Sequence, residues 1–303
     1  MNKRKLIVLF GPTAVGKTAM TLALFRKNYE IINSDSVQVY KHLDIASAKP
    51  DDFTQKEIRH HLIDILEPYE QFTVGTYCQM AEHLVDDILS RGSYPLLTGG
   101  TAYYFRQFLY GVASTPESDP FIRDRVKNEI DEKGKSWAYS FLKDIDLQSA
   151  ERINPNDIYR ISRAIEVYYQ SGRPLSSFKV NTAVRTSLDP LIIGLQLEKA
   201  ELDRRIEKRV DAMFKSGLED EIRGLKEMGA EQSWPAMQAI GYKEFFIPGL
   251  DRDEIRERII LSTRQYAKRQ MTFFRSFRNV NWFSPDDYDG ISRLLEASGY
   301  PHS

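Results

Sequence analysis

Residues Gly11 to Thr18 read G-x-x-x-x-G-K-T, and their flanks leave few choices of fold. The apolar run Leu6-Ile7-Val8-Leu9-Phe10 precedes them, and Ala19-Met20-Thr21-Leu22-Ala23-Leu24 follows. A short apolar run ending in glycine reads as a buried strand, and the run after it as a helix. Strand, glycine loop and helix together make a phosphate-binding loop, because the start of the helix offers unpaired amide N–H groups and the positive end of its dipole to an anion. Gly11 and Gly16 let the backbone curl without a Cβ, and Pro12, Thr13, Ala14 and Val15 complete the curl. Lys17 reaches terminal phosphates, and the Thr18 hydroxyl suits Mg²⁺. Nucleotides and other diphosphates present the same oxygens, so the motif fixes the anion's chemistry and leaves its identity open.

The rest of the chain alternates strand and helix signals. "YEIINSDSVQVY" reads as a strand ending near Asn33 that delivers the polar loop Ser34-Asp35-Ser36-Val37-Gln38 to the ligand edge of a sheet. "HHLIDIL" (60 to 66) and "YPLLTGG" (94 to 100) are further strand candidates, and residues 73 to 90 carry helical spacing. The pattern predicts an α/β fold: a parallel sheet of phosphate-loop type flanked by helices. From Ser114 the chain is turn-rich, then charged and helix-forming to about Thr186, which predicts an inserted all-helical subdomain over 114 to 186. The core is then 1 to 113 with 187 to 303, and "PLIIGLQLE" (190 to 198) restores strand character.

Charge bounds the partners. The chain has 303 residues, enough for one large domain or two. Its 42 Lys and Arg against 43 Asp and Glu give no global field for a polyanion, so any nucleic-acid contact comes from local patches. Residues 252 to 279 hold eight basic against three acidic residues, a local charge of +5, whereas 44 to 88 hold ten acids against Lys49, Lys56 and Arg59. On a wheel at about 100° per residue, Arg264, Lys268, Arg275 and Arg278 fall within roughly 40° of one direction, with Tyr266, Phe273 and Phe277 opposite. Charge alone gives such a face two readings, solvated arginines or a nucleic-acid surface. The lone Cys78 excludes an internal disulfide framework and fits a reducing compartment. The basic start "MNKRKLIVLF" loses its apolar character after five residues, short of a signal peptide, and no run approaches membrane-spanning length. We expect a cytoplasmic protein with no membrane contact, acting as a monomer.

The phosphate loop, D-S-x-Q at 35 to 38, "HHLIDI", "LLTGGTAYY", "NPNDIYRISRAIEVYYQSGRP", "AIGYKE" and "TRQYAKRQMTFFR" occur in that order. Together they resemble the tRNA dimethylallyltransferase family along nearly the whole chain. The resemblance implies transfer of a dimethylallyl group from dimethylallyl diphosphate to N6 of adenosine 37, beside the tRNA anticodon. It implies that the loop holds the diphosphate of a prenyl donor, with Mg²⁺ on Thr18. Asp35 becomes the general base, although a lone aspartate there reads as a loop cap. Thr101 positions substrate, although it is also a good helix N-cap. Arg209 joins Lys17 at the leaving diphosphate, although a charged helix ordinarily carries solvated arginines.

For the anticodon stem-loop the resemblance implies Asp35, Ser36, Val37, Gln38 and Thr101 around the flipped base, with Arg123 and the stretch Tyr159, Arg160, Ile161, Ser162, Arg163 on the insertion. It adds Gln238, Ala239, Ile240, Gly241, Tyr242 and Lys243, and the run Lys268, Arg269, Gln270, Met271, Thr272, Phe273, Phe274, Arg275. Ion pairing within the chain is the alternative for Arg123, Arg160 and Arg163. Three departures stand out: Ala46-Ser47-Ala48-Lys49-Pro50 for the family's G-T-A-K-P, Tyr103 for a leucine expected at the pocket wall, and Phe273 for a tryptophan. The competing reading is an ATP-dependent small-molecule kinase with a helical lid, in which Asp64 passes for a magnesium acid. A guanine-nucleotide switch is disfavoured by the lack of N-K-x-D.

Overall fold

A computed structural model describes residues 3–112, 114–179 and 181–301. Strands β1 (Arg4–Phe10), β2 (Tyr29–Asn33), β3 (His60–His61), β4 (Tyr94–Gly99), β5 (Leu188–Leu195) and β6 (Val280–Phe283) form one sheet in the order β3-β2-β4-β1-β5-β6. Every pairing is parallel. A parallel central strand is covered on both faces, so it reads as a continuous apolar run. In β1 the residues Leu6 to Phe10 are fully buried.

Helices α1 (Lys17–Leu24), α2 (Asp52–Glu57), α3 (Val74–Ser90) and α4 (Ala102–Tyr110) connect the first four strands and lead away from the fourth. Helices α5 (Pro120–Lys133), α6 (Lys135–Ile145), α7 (Leu147–Ala150) and α8 (Ile158–Ser171) follow before β5. Helices α9 (Lys199–Lys215), α10 (Leu218–Glu227) and α11 (Arg252–Phe274) lie between β5 and β6, and α12 (Tyr288–Ala297) comes last. The chain divides into two compact units, one running to Leu109 and resuming at Val184, the other Tyr110–Ala183. Ala113, at the expected first boundary, lies outside the described residues. The smaller unit is helical, and its own core includes Val126, Ala138, Leu142, Ile161 and Ile165.

The sheet departs from expectation at both edges. The segment 60 to 66 pairs over only two residues, because Leu62 and Asp64 adopt positive φ, where a strand cannot continue. Beyond it, among the described residues, an isolated bridge joins Tyr40 and Leu66. At the other edge β6 was missed: "VNWF" is four residues long and lacks flanking alternation.

Parallel strands place all carboxyl ends on one edge. The order β2-β4-β1 therefore sets three loops side by side: 34–38 after β2, 99–101 after β4 and 11–16 after β1. Register aligns them, with Phe10 opposite Gly99 and Asn33 opposite Thr98. Helix α11 is fastened beneath them by aromatic packing. Phe274 stacks on Phe10, ring centroids 4.3 Å apart and ring planes nearly parallel, and Phe105 meets both rings edge-on. Such pairs contribute about 0.5–1.5 kcal/mol each beyond their buried area.

Candidate active site

The phosphate loop is a concave nest of backbone amides. Ala14 takes a left-handed φ of 62° and Gly16 one of 112°, the second tolerable only for glycine. Helix α1 starts at Lys17 with no side chain capping its first amides. Those N–H groups remain available to an anion. Lys17 Nζ donates to the carbonyls of Gly11 (2.9 Å) and Pro12 (3.0 Å), so the lysine folds over its own loop. Burial and, after it, Arg209 push its ammonium down to about 8, with Asp35 acting in the opposite sense. Burial likewise lowers Arg209, and Asp35 again opposes. Two cations and one carboxylate thus share one desolvated space.

Asp35 enters that space from the loop after β2. Its Oδ1 accepts from the amides of Val37 (2.9 Å) and Gln38 (3.4 Å), the loop-capping role, while its Oδ2 faces Gly100. Backbone bonds from Ser34 N to Thr98 O (2.7 Å) and from Thr101 N to Ser34 O (3.0 Å) bind this loop to the turn after β4. Gln38 Nε2 donates to the carbonyls of Ser47 (3.1 Å) and Ala48 (3.2 Å). The 44–48 loop is held from behind by Glu221, which accepts from the amides of Asp44 (2.9 Å) and Ile45 (2.8 Å). Ala46 packs where a Cβ on Gly241 would fall, so the departure from glycine at 46 is matched by a glycine facing it.

The loops enclose one cavity of about 560 Å³. Thr13, Lys17, Thr18, Asp35, Gln38 and Arg209 are among its lining residues. The cavity holds, in one place, an anion cradle and a carboxylate able to take a proton. The model of the IPP transferase family matches residues 38–277, and that of an isopentenyl transferase family matches 4–66.

The chain belongs to the IPP transferase family. The tRNA dimethylallyltransferase of Borreliella afzelii is 42% identical, covering 97% of this chain and 100% of its own. That of Alkaliphilus oremlandii is 36% identical over 97% and 96%. Among solved structures, the tRNA isopentenylpyrophosphate transferase of Bacillus halodurans has a TM-score of 0.70 at 34% identity, with 98% and 96% covered. A eukaryotic dimethylallyltransferase acting on tRNA has a TM-score of 0.82 at 27% identity, with 100% and 81% covered.

In this IPP transferase several residues sit otherwise than the motifs imply. Thr101 does not line the cavity: its Oγ1 accepts from the Ser36 amide (2.9 Å) and donates to Ser36 Oγ (3.2 Å), supporting the Asp35 loop from behind. Ile161, Tyr242 and Phe274 are fully buried, and hydrophobic burial makes them core residues rather than RNA contacts. Tyr242 Oη donates to Glu221 (2.8 Å). Gln270 is only 3% exposed, yet it lines the cavity. Tyr103 is half exposed and does not line the cavity, so it leaves the wall unchanged.

Arg209, whose motif signal was weak, faces Lys17. Gln238, Ala239, Ile240, Gly241, Lys243 and Arg269 reach the cavity wall. Helix α11 ends at Phe274, so Arg275 caps it and Arg278 lies beyond, outside the wheel's regular spacing. Arg264 is tied to Glu207 at 3.1 Å, leaving Lys268, Arg269 and Arg275 as exposed cations without ion pairs among the described residues. Within the smaller unit, Arg163 pairs with Glu166, Arg160 with Asp157, and Arg123 bonds Ser118. Tyr159 stands 82% exposed. Asp64 is paired to the buried Lys49 and does not line the cavity, so the kinase reading loses its magnesium acid.

Proposed function

We propose that the protein transfers the dimethylallyl group of dimethylallyl diphosphate to N6 of adenosine 37 of tRNA, giving N6-isopentenyladenosine and diphosphate. The observation that carries this reading is the shared cavity: Asp35 stands close enough to Lys17 and Arg209 to act electrostatically on both. An exocyclic amine is a weak nucleophile, so its attack on an allylic carbon needs proton removal at N6 and stabilisation of the leaving group. Asp35 accepts the N6 proton through Oδ2 while its Oδ1 keeps the loop folded. The new N6–C1 bond forms as the C1–O bond breaks, and the electron pair leaves on diphosphate. Lys17, the loop amides and Arg209 receive that charge.

Among the described residues no group of three or more His, Cys, Asp or Glu gathers to hold a metal. The Thr18 hydroxyl, at the cavity wall, would hold Mg²⁺ there. Bound there, Mg²⁺ would add to the neutralisation of the leaving diphosphate. The target base leaves its stack at a cost of a few kcal/mol, returned by contacts in the pocket. Ser36, Val37 and Gln38 line its path, and Lys268, Arg269 and Arg275 offer charge to the RNA backbone. The exposed Tyr159 and Arg123 of the smaller unit serve the same RNA, with loop shape rather than groove edges being read. No described helix is long and apolar enough to cross a membrane. We place the protein in the cytoplasm, as a monomer.

The test uses purified protein, an anticodon stem-loop and either dimethylallyl diphosphate or ATP. The expected result is an RNA mass increase of one prenyl group with the diphosphate ester only. Turnover of ATP without any change in RNA mass would defeat the reading.

A further inference from the structure

We infer that Gln270 is a positioning residue for the transfer, fixing the distance between the diphosphate loop and the loop that carries Asp35. This rests on the transferase reading above. The side chain is buried and both ends of its amide are used. Oε1 accepts from the Thr13 amide at 2.9 Å, inside the phosphate loop. Nε2 donates to the Gly100 carbonyl at 2.6 Å, in the turn after β4. One side chain therefore bridges the two loops that must hold the two substrates.

The bridge continues to the carboxylate. Thr101, next along, accepts from the Ser36 amide and bonds Ser34 through its own amide, with Asp35 between them. Gly100 itself leaves room for this meeting: a Cβ there would lie 2.8 Å from Gln270 Nε2 and 3.2 Å from Asp35 Oδ2. The amide is thus close to the acid it positions.

Helix α11 is built to hold it there. Tyr266, Gln270 and Phe274 recur at four-residue spacing on one face. Tyr266 Oη donates to the Gly100 carbonyl at 3.2 Å, Gln270 spans the loops, and Phe274 stacks on Phe10, the residue before Gly11. A primary amide of this length accepts from an N–H and donates to a C=O at once. Glutamate keeps the first bond and sets an oxygen against the Gly100 carbonyl. Methionine keeps the size and loses both bonds.

Gln270→Glu and Gln270→Met in the full chain test this. We expect kcat to fall about 10²-fold in both, as a displacement near 1 Å of one substrate against the other costs. The Kd for the stem-loop, measured separately, should stay near the wild-type value, since both ends of the Gln270 amide, although it lines the cavity, are spent on the loops. A wild-type kcat in Gln270→Glu overturns the inference. So does an unchanged kcat with weakened RNA binding, which would make Gln270 an RNA contact. Should the methionine variant not fold, the glutamate variant decides. If wild-type protein binds RNA yet forms no product, the reading of function fails, and the bridge is judged on inorganic diphosphate: an unchanged diphosphate Kd in Gln270→Glu overturns it.

Discussion

Asp35→Asn should lower the rate of prenyl transfer by about 10²–10⁴-fold, the range over which a positioned general base acts. The substitution isolates the chemistry because the two oxygens of Asp35 have different duties. Oδ1 accepts from the amides of Val37 and Gln38, and an asparagine Oδ1 can still accept from both, though more weakly without the charge. The loop therefore keeps its shape. Oδ2, beside Gly100, becomes an NH₂ that cannot take a proton from the adenine amine. Single-turnover kinetics with saturating stem-loop, beside a binding measurement, check the result. Loss of RNA affinity in parallel with the rate would assign Asp35 to docking instead.

Lys17→Met should cost about 10²–10³-fold in kcat, comparable to removing one preorganised donor to a developing oxyanion. The lysine also predicts a pH dependence whose sign follows from its surroundings. Burial and Arg209 bring its ammonium from an ordinary 10.5 down to about 8. Raising the pH through that value strips the charge from the empty site, so the KM for the donor should rise above pH 8. A bound diphosphate favours the ammonium, so binding begun above pH 8 takes up a proton. That proton shows as a buffer-dependent heat of binding. In Lys17→Met the KM profile flattens and the buffer dependence disappears; persistence of both would assign the titration to another group. Stability runs the other way. The folded protein holds fewer protons than the unfolded chain between about 8 and 10.5, so the cost of the buried charge is relieved as pH rises through that window.

The parallel sheet and the phosphate loop were legible because both rest on local rules. An apolar run that ends in glycine has one good fate, and β1 with its loop and α1 followed it. The loop after β2 was legible for the same reason, Asn33 being the last strand residue. Segments whose signal depends on partners were not. β6 exists because Ile192 to Leu195 offer it an edge, which nothing in "VNWF" reveals.

The stretch 268 to 275 is not one uniform RNA-facing run. From Lys268 to Arg275 the sequence gives a contiguous basic and aromatic stretch, yet a helix turns about 100° per residue. Phe274 consequently faces the core and Gln270 is buried against the cavity, while Lys268, Arg269 and Arg275 are exposed, Arg269 at the cavity wall. The wheel separated charge from aromatic rings but carried no sign that a glutamine would be the most tightly held residue of the inner face. Arg209 was obscure for the opposite reason: "RRIEKRVDAMF" is rich in charge, and only the approach of α9 to the phosphate loop, seen also in Arg205 Nη1 to Val15 O at 3.2 Å, singles it out.

The central claim is that the diphosphate of a prenyl donor sits on the 11–18 loop with Asp35 facing the carbon it carries. A crystal structure with a non-hydrolysable thio-analogue of dimethylallyl diphosphate tests it most directly. The account predicts diphosphate oxygens on the amides of Gly16, Lys17 and Thr18, Lys17 released from the Gly11 and Pro12 carbonyls, and the allylic carbon turned toward Asp35. An analogue bound with its diphosphate away from Lys17 and Arg209 would contradict it.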